Sequence, residues 1–171
     1  GRRPTVVTFH PHPRAVVGRG VELLSTLERR LELLASCGIE DVLVVEFTPE
    51  VAALAPVDFA EAALLSIGAE VVVAGVGFRF GRAREGDLDL LRSLGIDARH
   101  VPIVEGVSST EIRRHAHASE VEAAARLLGR PLEVEGVVVG GDRRGATLGF
   151  PTANLDVPAG VLGQGLGIYA G

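Results

Sequence analysis

Apolar positions in the first 128 residues or so alternate between two rhythms. Thr5-Val6-Val7-Thr8-Phe9 is β-branched and aromatic and predicts a strand. Leu27, Leu31, Leu34 and Ala35 fall at i, i+4, i+7 and i+8, one face of a helix. Ser25, three residues before Glu28, predicts its capping-box start, and Gly38 its stop. Residues 42–45 and 71–74 are continuous apolar runs, the pattern of strands buried on both faces. Thr48-Pro49 has the form of an N-cap followed by proline at the first helical position. Residues 60–67 read as a helix closed by Gly68, and 88–94 as a shorter one closed by Gly95. Residues 99–104 predict a further strand. Ser108 with Glu111, and Ser119 with Glu122, mark two more helix starts, the second helix running to Leu128.

Strand and helix in this alternation predict a parallel sheet with helices on both faces. Ligands of such sheets bind where loops leave the carboxyl ends of strands. That rule selects His10-Pro11-His12-Pro13, the loop 75–86 and the segment after Val104. Past Gly129-Arg130-Pro131 the helical rhythm stops. Leu132, Val134, residues 137–139 and residues 148–155 read as strand. The expected organisation is an α/β domain over 1–128 and the beginning of an all-β domain over 129–171, with too few strands to close a barrel.

Composition narrows the class. Of 171 residues, 47% are hydrophobic and 23% charged, enough apolar material for a sizeable core. The net charge of -5 provides no positive field for nucleic acid or anionic membrane. With 4% aromatic residues and no basic–aromatic face, an RNA-binding module built on the arginine loop is poorly supported. No apolar run reaches the roughly 18 residues of a bilayer-crossing helix. The lone Cys37 excludes an internal disulfide or a thiolate zinc cluster and fits a reducing, cytoplasmic setting. All 17 basic residues are arginine, and a P-loop needs lysine. The chain has no methionine and runs from Gly1-Arg2-Arg3-Pro4 straight into a strand, which predicts that its natural start is missing.

Each chemically unusual segment has a functional and a plain reading. The two prolines around His12 make a rigid strand end, where histidine donates to phosphate or acts as acid or base. They equally form a proline turn with two exposed histidines, and no third ligand suggests zinc. The loop 75–86 combines glycines with Arg79, Arg82 and Arg84, forked donors suited to phosphate, and with Phe78 and Phe80, which can cover an aromatic ring. Its plain reading is a solvated, positively charged loop. Ser108, Ser109 and Thr110, with Arg113 one turn later, place hydroxyls and N–H groups at a helix N-terminus, an anion site or simply a capping box with a surface arginine. Thr152 and Asn154 alternate by two, so on an extended segment they share a face. Their oxygens suit Mg²⁺, or they are ordinary turn residues.

Taken in order, these motifs resemble a known family. They are Thr8-Phe9-x-Pro11-His12-Pro13, Gly75-x-x-Phe78-Arg79-Phe80-Gly81, Ser108-Ser109-Thr110-x-Ile112-Arg113, Gly129-Arg130-Pro131 and Arg144-Gly145-x-x-Leu148-Gly149-Phe150-Pro151-Thr152-Ala153-Asn154-Leu155. The resemblance is to the bacterial bifunctional riboflavin kinase/FMN adenylyltransferases, or FAD synthetases. It covers nearly the whole chain, and residues 149–155 are its most specific part. It implies a Rossmann-like, parallel-sheet nucleotidyltransferase domain joining FMN and ATP into FAD and pyrophosphate. The beginning of an all-β riboflavin kinase barrel, which makes FMN from riboflavin and ATP, follows. It also implies a cytoplasmic transferase using Mg²⁺, whose partners are small molecules and not nucleic acid or membrane.

By the family's pattern His12, between Pro11 and Pro13, stands beside the ATP phosphates. Ser109, Thr110 and Arg113 hold phosphate, His12 and Arg113 being the catalytic pair. Phe78 and Phe80 line the nucleotide site. Thr152 and Asn154 place Mg²⁺–ATP, with Gly141, Arg144 and Gly145 near its phosphates. Transfer chemistry of this kind needs mainly positioning and charge neutralisation. The chain departs from the pattern in places. An HxGH motif is expected ahead of Arg3. Gly77 replaces Asn or Asp, Gly140 replaces histidine and Ala146 replaces arginine. The kinase's glutamate is expected beyond Gly171. A non-catalytic nucleotide- or flavin-binding relative is therefore the alternative class, and the 171-residue piece alone is expected to make neither FMN nor FAD.

Overall fold

A computed structural model describes residues 3–18, 20–141, 149–150 and 152–169. Strand β1 (Thr5–His10) leads through helices α1 (Pro13–Val16) and α2 (Leu27–Ser36) into β2 (Asp41–Glu46). Helices α3 (Pro49–Ala53) and α4 (Pro56–Ala63) and a 3-10 turn (Leu65–Ile67) precede β3 (Val71–Gly75). A second 3-10 turn (Arg82–Arg84), α5 (Leu88–Ser93) and β4 (Asp97–Val101) come next. Helices α6 (Ser109–His117) and α7 (Val121–Leu128) and strands β5 (Val137–Val139) and β6 (Asn154–Asp156) follow.

Local chemistry explains most of these boundaries. Thr48 caps α3 by accepting from the Val51 N–H, with proline at the next position. Ser108 caps α6, its Oγ accepting from the Glu111 N–H at 3.1 Å. Two expected caps fall elsewhere. The α2 cap is Thr26, whose Oγ1 accepts from the Arg29 N–H, and not Ser25. Ser119 makes no capping bond to α7; its hydroxyl donates to the Leu166 carbonyl at 3.4 Å.

Strands β1 and β2 pair in parallel from Thr5↔Asp41 to His10↔Glu46, and β3 and β4 from Val71↔Asp97 to Gly75↔Val101. Each parallel connection runs through helix, as the handed crossover requires. Strands β1–β4 thus form two separate two-stranded parallel sheets rather than one wide sheet. Each strand keeps one unpaired edge, and the expected burial on both faces is not reached. Val44 and Val73 are 38% and 58% exposed. Strand β4 starts two residues earlier and ends three residues earlier than the expected 99–104. Strand β5 pairs antiparallel with β6, but Leu132 and Val134 lie outside any strand.

The chain divides into two compact units. The first comprises Gly1–Gly20 and Leu31–Glu105, the second Val21–Arg30 and Gly106–Gly171. In the first, Phe59, Ala60, Ala63 and Leu64 of the α4 region join Phe80, Leu91, Ile96 and Ala98 in a buried core, with Val7, Phe9 and Val72 packed on it. Gly81 is obligatory beneath this core. Its φ/ψ of 71°/-176° is open essentially to glycine alone, and an added Cβ would stand 2.7 Å from Pro56 Cα. Gly81→Ala is expected to lower stability by about 1–3 kcal/mol in urea unfolding, and an unchanged midpoint would contradict that packing.

In the second unit Ile112, Ala116, Ala124 and Leu162 are the buried apolar residues among those described. Here the alternating Leu132-Glu133-Val134-Glu135 stretch is held by side chains in place of a partner strand. The Arg29 guanidinium donates to both Glu133 carboxylate oxygens at 2.9 and 2.8 Å, and Thr26 donates to Glu135 at 2.7 Å. The hydrogen bond from Arg29, with Arg130 adding its charge, holds the Glu133 carboxyl below the usual carboxylate range.

Candidate functional site

In the first unit, the carboxyl ends of β1 and β3 carry the unusual residues. His12 is the N-cap of α1, and its Nδ1 accepts from the Arg14 N–H at 3.1 Å. A nitrogen that accepts carries no proton, so the neutral ring with this contact bears its hydrogen on Nε2. Pro13 opens α1 behind it, and both Pro13 and His12 are half-buried while Pro11 is exposed.

The loop after β3 is tied at several points. Phe80 and Gly86 exchange backbone hydrogen bonds at 3.0 and 2.9 Å, and a Cβ at Gly86 would strike the Phe80 ring. The Arg82 N–H donates to the Leu54 carbonyl at 2.7 Å. The two phenylalanines have different environments. Phe80 is 7% exposed and tilts against Phe59, a core position. Phe78 is 37% exposed and stacks on Phe80, with ring centroids 5.6 Å apart and planes at 24°. An open pocket of about 230 Å³ lies beside them, lined by Gly77, Phe78, Arg79, Asp87, Arg92 and His100 among others.

Asp87 organises one wall of that pocket. It caps α5 by accepting from the Leu90 N–H at 3.0 Å and pairs with Arg79 at 2.8 Å. The Leu90 N–H first, and Arg79 after it, hold the Asp87 carboxyl below the usual range. A lowered folded-state pKa stabilises the protein fully above the unfolded-chain value, about 3.9, and the contribution disappears as pH falls through the folded value. The stability difference between the protein and Asp87→Asn should therefore be constant above about pH 5 and close in acid. A difference persisting at pH 2, followed by denaturant unfolding, would contradict this.

In the second unit, Ser109 and Thr110 form the first turn of α6. Both are exposed, and neither hydroxyl has a partner among the described residues. Arg113, one turn on, is half-buried. Its Nη1 donates to the Glu22 carbonyl at 3.1 Å, and it has no carboxylate partner among the described residues. Its neighbour Arg114, by contrast, pairs with Glu111 at 2.9 Å. Further along the same unit, Asn154 sits opposite Val139 in the β5–β6 pair. The Cα of Gly141 packs so near the Asn154 amide that a Cβ would overlap it. Thr152 and Asn154 are exposed oxygen donors, while Arg144 and Gly145 lie outside the described residues.

Sequence reasoning missed Asp87, Arg92 and His100 as pocket residues. The structure shows Asp87 as the cap of α5 and His100 as an exposed position of β4. A pointer for both was their distance from loop 75–86 in a βαβ unit, where the far strand returns beside the first.

Parallel strands joined by helices, with a helix-capping histidine, a glycine-arginine loop beside an open pocket and an arginine near a helix start that has no carboxylate partner among the described residues, define an α/β protein whose polar groups suit anionic ligands. Residues 1–120 match the family model of FAD synthetase, and residues 128–171 that of riboflavin kinase. The chain belongs to the FAD synthetase family, as its motifs suggested. It is 37% identical to the bifunctional riboflavin kinase/FMN adenylyltransferase of Listeria monocytogenes over 99% of its own length and 57% of that protein's. It is 34% identical to the protein of the same description from Bacillus subtilis, over 96% and 55%. The chain thus spans little more than half of these curated relatives. A crystal structure of a macrolide-efflux protein from Streptococcus pneumoniae shares the fold, with a TM-score of 0.82 and 28% identity over 95% of this chain and 56% of that one. Among the described residues, no helix is long and apolar enough to cross a membrane.

Proposed function

We propose that this chain is part of an enzyme that adenylylates FMN and phosphorylates riboflavin, with a module boundary near residues 128–129. In the first reaction an FMN phosphate oxygen attacks the α-phosphorus of ATP. The new P–O bond gives FAD, and the bond to the β-phosphate breaks to release pyrophosphate. In the second, the riboflavin hydroxyl attacks the γ-phosphorus, gives up its proton to a base and releases ADP.

The observation that carries this reading is Arg113. It forms no ion pair with a described carboxylate and lies one turn from the N–H groups of the α6 start and from two hydroxyls that have no partner among the described residues. Such a cluster holds phosphate oxygens by charge-assisted hydrogen bonds. His12, set between Pro11 and Pro13 and fixed as the N-cap of α1 by its bond from the Arg14 N–H, is assigned a place beside the phosphates. Phe78 supplies an exposed ring face for a flavin or adenine, backed by buried Phe80. In the kinase portion, Gly141 leaves room for the Asn154 amide, and Thr152 and Asn154 are the hard oxygen donors Mg²⁺ takes. The ion neutralises charge on the transferring phosphates when bound. Gly141, Arg144 and Gly145 belong to the loop assigned to the ATP phosphates. The Rossmann-like sheet and the kinase barrel complete the proposed architecture.

The test is chromatography of products from the complete gene product with riboflavin or FMN, ATP and Mg²⁺. FAD and pyrophosphate from FMN, and FMN and ADP from riboflavin, are the expected outcome. The alternative, a non-catalytic binder favoured by Gly77 and Ala146, predicts nucleotide or flavin binding without turnover.

A further inference from the structure

We propose that His117 and Glu22 are positioning residues for Arg113, with His117 keeping the Glu22 carboxylate away from the arginine's charge. This rests on the phosphate-binding reading of Arg113.

Arg113 and His117 are four apart on α6 and so lie on one helix face. A single residue meets both. The Glu22 carbonyl accepts from Arg113 Nη1 at 3.1 Å, and the Glu22 carboxylate meets His117 Nε2 at 2.6 Å. The division of labour matters electrostatically. A carbonyl acceptor fixes the guanidinium's orientation without neutralising it, and the remaining N–H donors stay available to an anion. A carboxylate in the same place would pair with the guanidinium in the bidentate geometry phosphate needs. The Glu22 carboxylate is within a side chain's length of Arg113, and its engagement with His117 is what keeps it from that role.

The backbone of Glu22 is itself held. The Leu23 N–H donates to the Gly160 carbonyl and the Leu162 N–H to the Leu23 carbonyl, both at 2.7 Å, so residues 22–23 are stitched to the 160–162 segment. Leu162 is 3% exposed. Downstream, Thr26 and Arg29 are bonded to Glu135 and Glu133. The peptide whose carbonyl meets Arg113 is therefore fixed through its Leu23 N–H, while the Glu22 carboxylate is held by its contact with His117. The other charged groups on this stretch of helix are engaged elsewhere: Arg114 with Glu111, and His115 with Glu120.

The experiment is steady-state kinetics of FAD formation by the complete gene product and by His117→Ala, His117→Gln, His117→Ala/Glu22→Gln and Arg113→Ala, with thermal melts as a folding control. His117→Ala is expected to raise the KM for ATP roughly fivefold, the upper range for an exposed charge contact, with kcat little changed. Glu22→Gln in the same chain should return KM to the parent value, because the neutral amide no longer competes for Arg113. His117→Gln, which keeps a donor for Glu22, should also stay near the parent. Equal losses in His117→Ala and the double variant would overturn the proposal in favour of a structural contact. An Arg113→Ala variant that is impaired while His117→Ala matches the parent overturns this inference alone. An Arg113→Ala variant indistinguishable from the parent overturns both it and the phosphate reading.

Discussion

Arg113→Ala is expected to lower kcat/KM for ATP in FAD formation by roughly ten- to a hundredfold, the worth of one hydrogen bond to a charged partner, about 1.5–3 kcal/mol. The expectation follows from an arginine that, among the described residues, has no carboxylate partner and donates to a neutral carbonyl. An arginine that served only to decorate the surface would be free to pair, as Arg114 does with Glu111. Arg113→Lys should recover only part of the loss, because an ammonium lacks the planar fork that spans two phosphate oxygens. The measurement is turnover at limiting ATP. If the alanine variant equals the parent there, the start of α6 is a capping box and nothing more, a role Ser108 already fills by its bond to the Glu111 N–H.

Phe80→Ala should be the most damaging of the loop substitutions for stability, at about 3–5 kcal/mol. Its ring is 7% exposed and lies 5.8 Å from Phe59, and the backbone of Gly86 closes over it so tightly that no Cβ fits. Removing the ring leaves a cavity that the tied loop cannot collapse into. Phe78→Ala should behave oppositely. Its ring is 37% exposed, so stability changes little, whereas the loss of a stacking face weakens nucleotide or flavin binding by about 1–3 kcal/mol. Denaturant unfolding and ligand titration on both variants separate the roles. Equal stability losses would contradict the division into a buried support and an exposed stacking face.

What the sequence made legible was whatever depends on near neighbours. The caps at Thr48 and Ser108 are three-residue patterns, and both form. The loops after β1 and β3 emerge at parallel strand ends because strand and crossover are written locally. The misreadings share a distant cause. Ser25 and Thr26 both precede α2, and only geometry selects Thr26. Ser119 matches a capping box, yet its hydroxyl turns to Leu166, 47 residues away. The alternation at Leu132 and Val134 reads as strand, but Glu133 and Glu135 there are held by Arg29 and Thr26, more than a hundred residues earlier. Phe78 and Phe80 are equivalent in sequence; Phe59 on α4 decides which one is buried. The Glu22–His117 contact spans 95 residues and leaves no spacing signal at all.

Transfer of an adenylyl group from ATP to FMN is tested most directly by following ATP labelled separately at the α- and γ-phosphorus, using the complete gene product with FMN and Mg²⁺. The expected result is that α-label enters FAD while γ-label leaves in pyrophosphate, and that with riboflavin as acceptor γ-label enters FMN. FMN and ATP that bind but leave all α-label in unreacted nucleotide would contradict it and make the protein a binder.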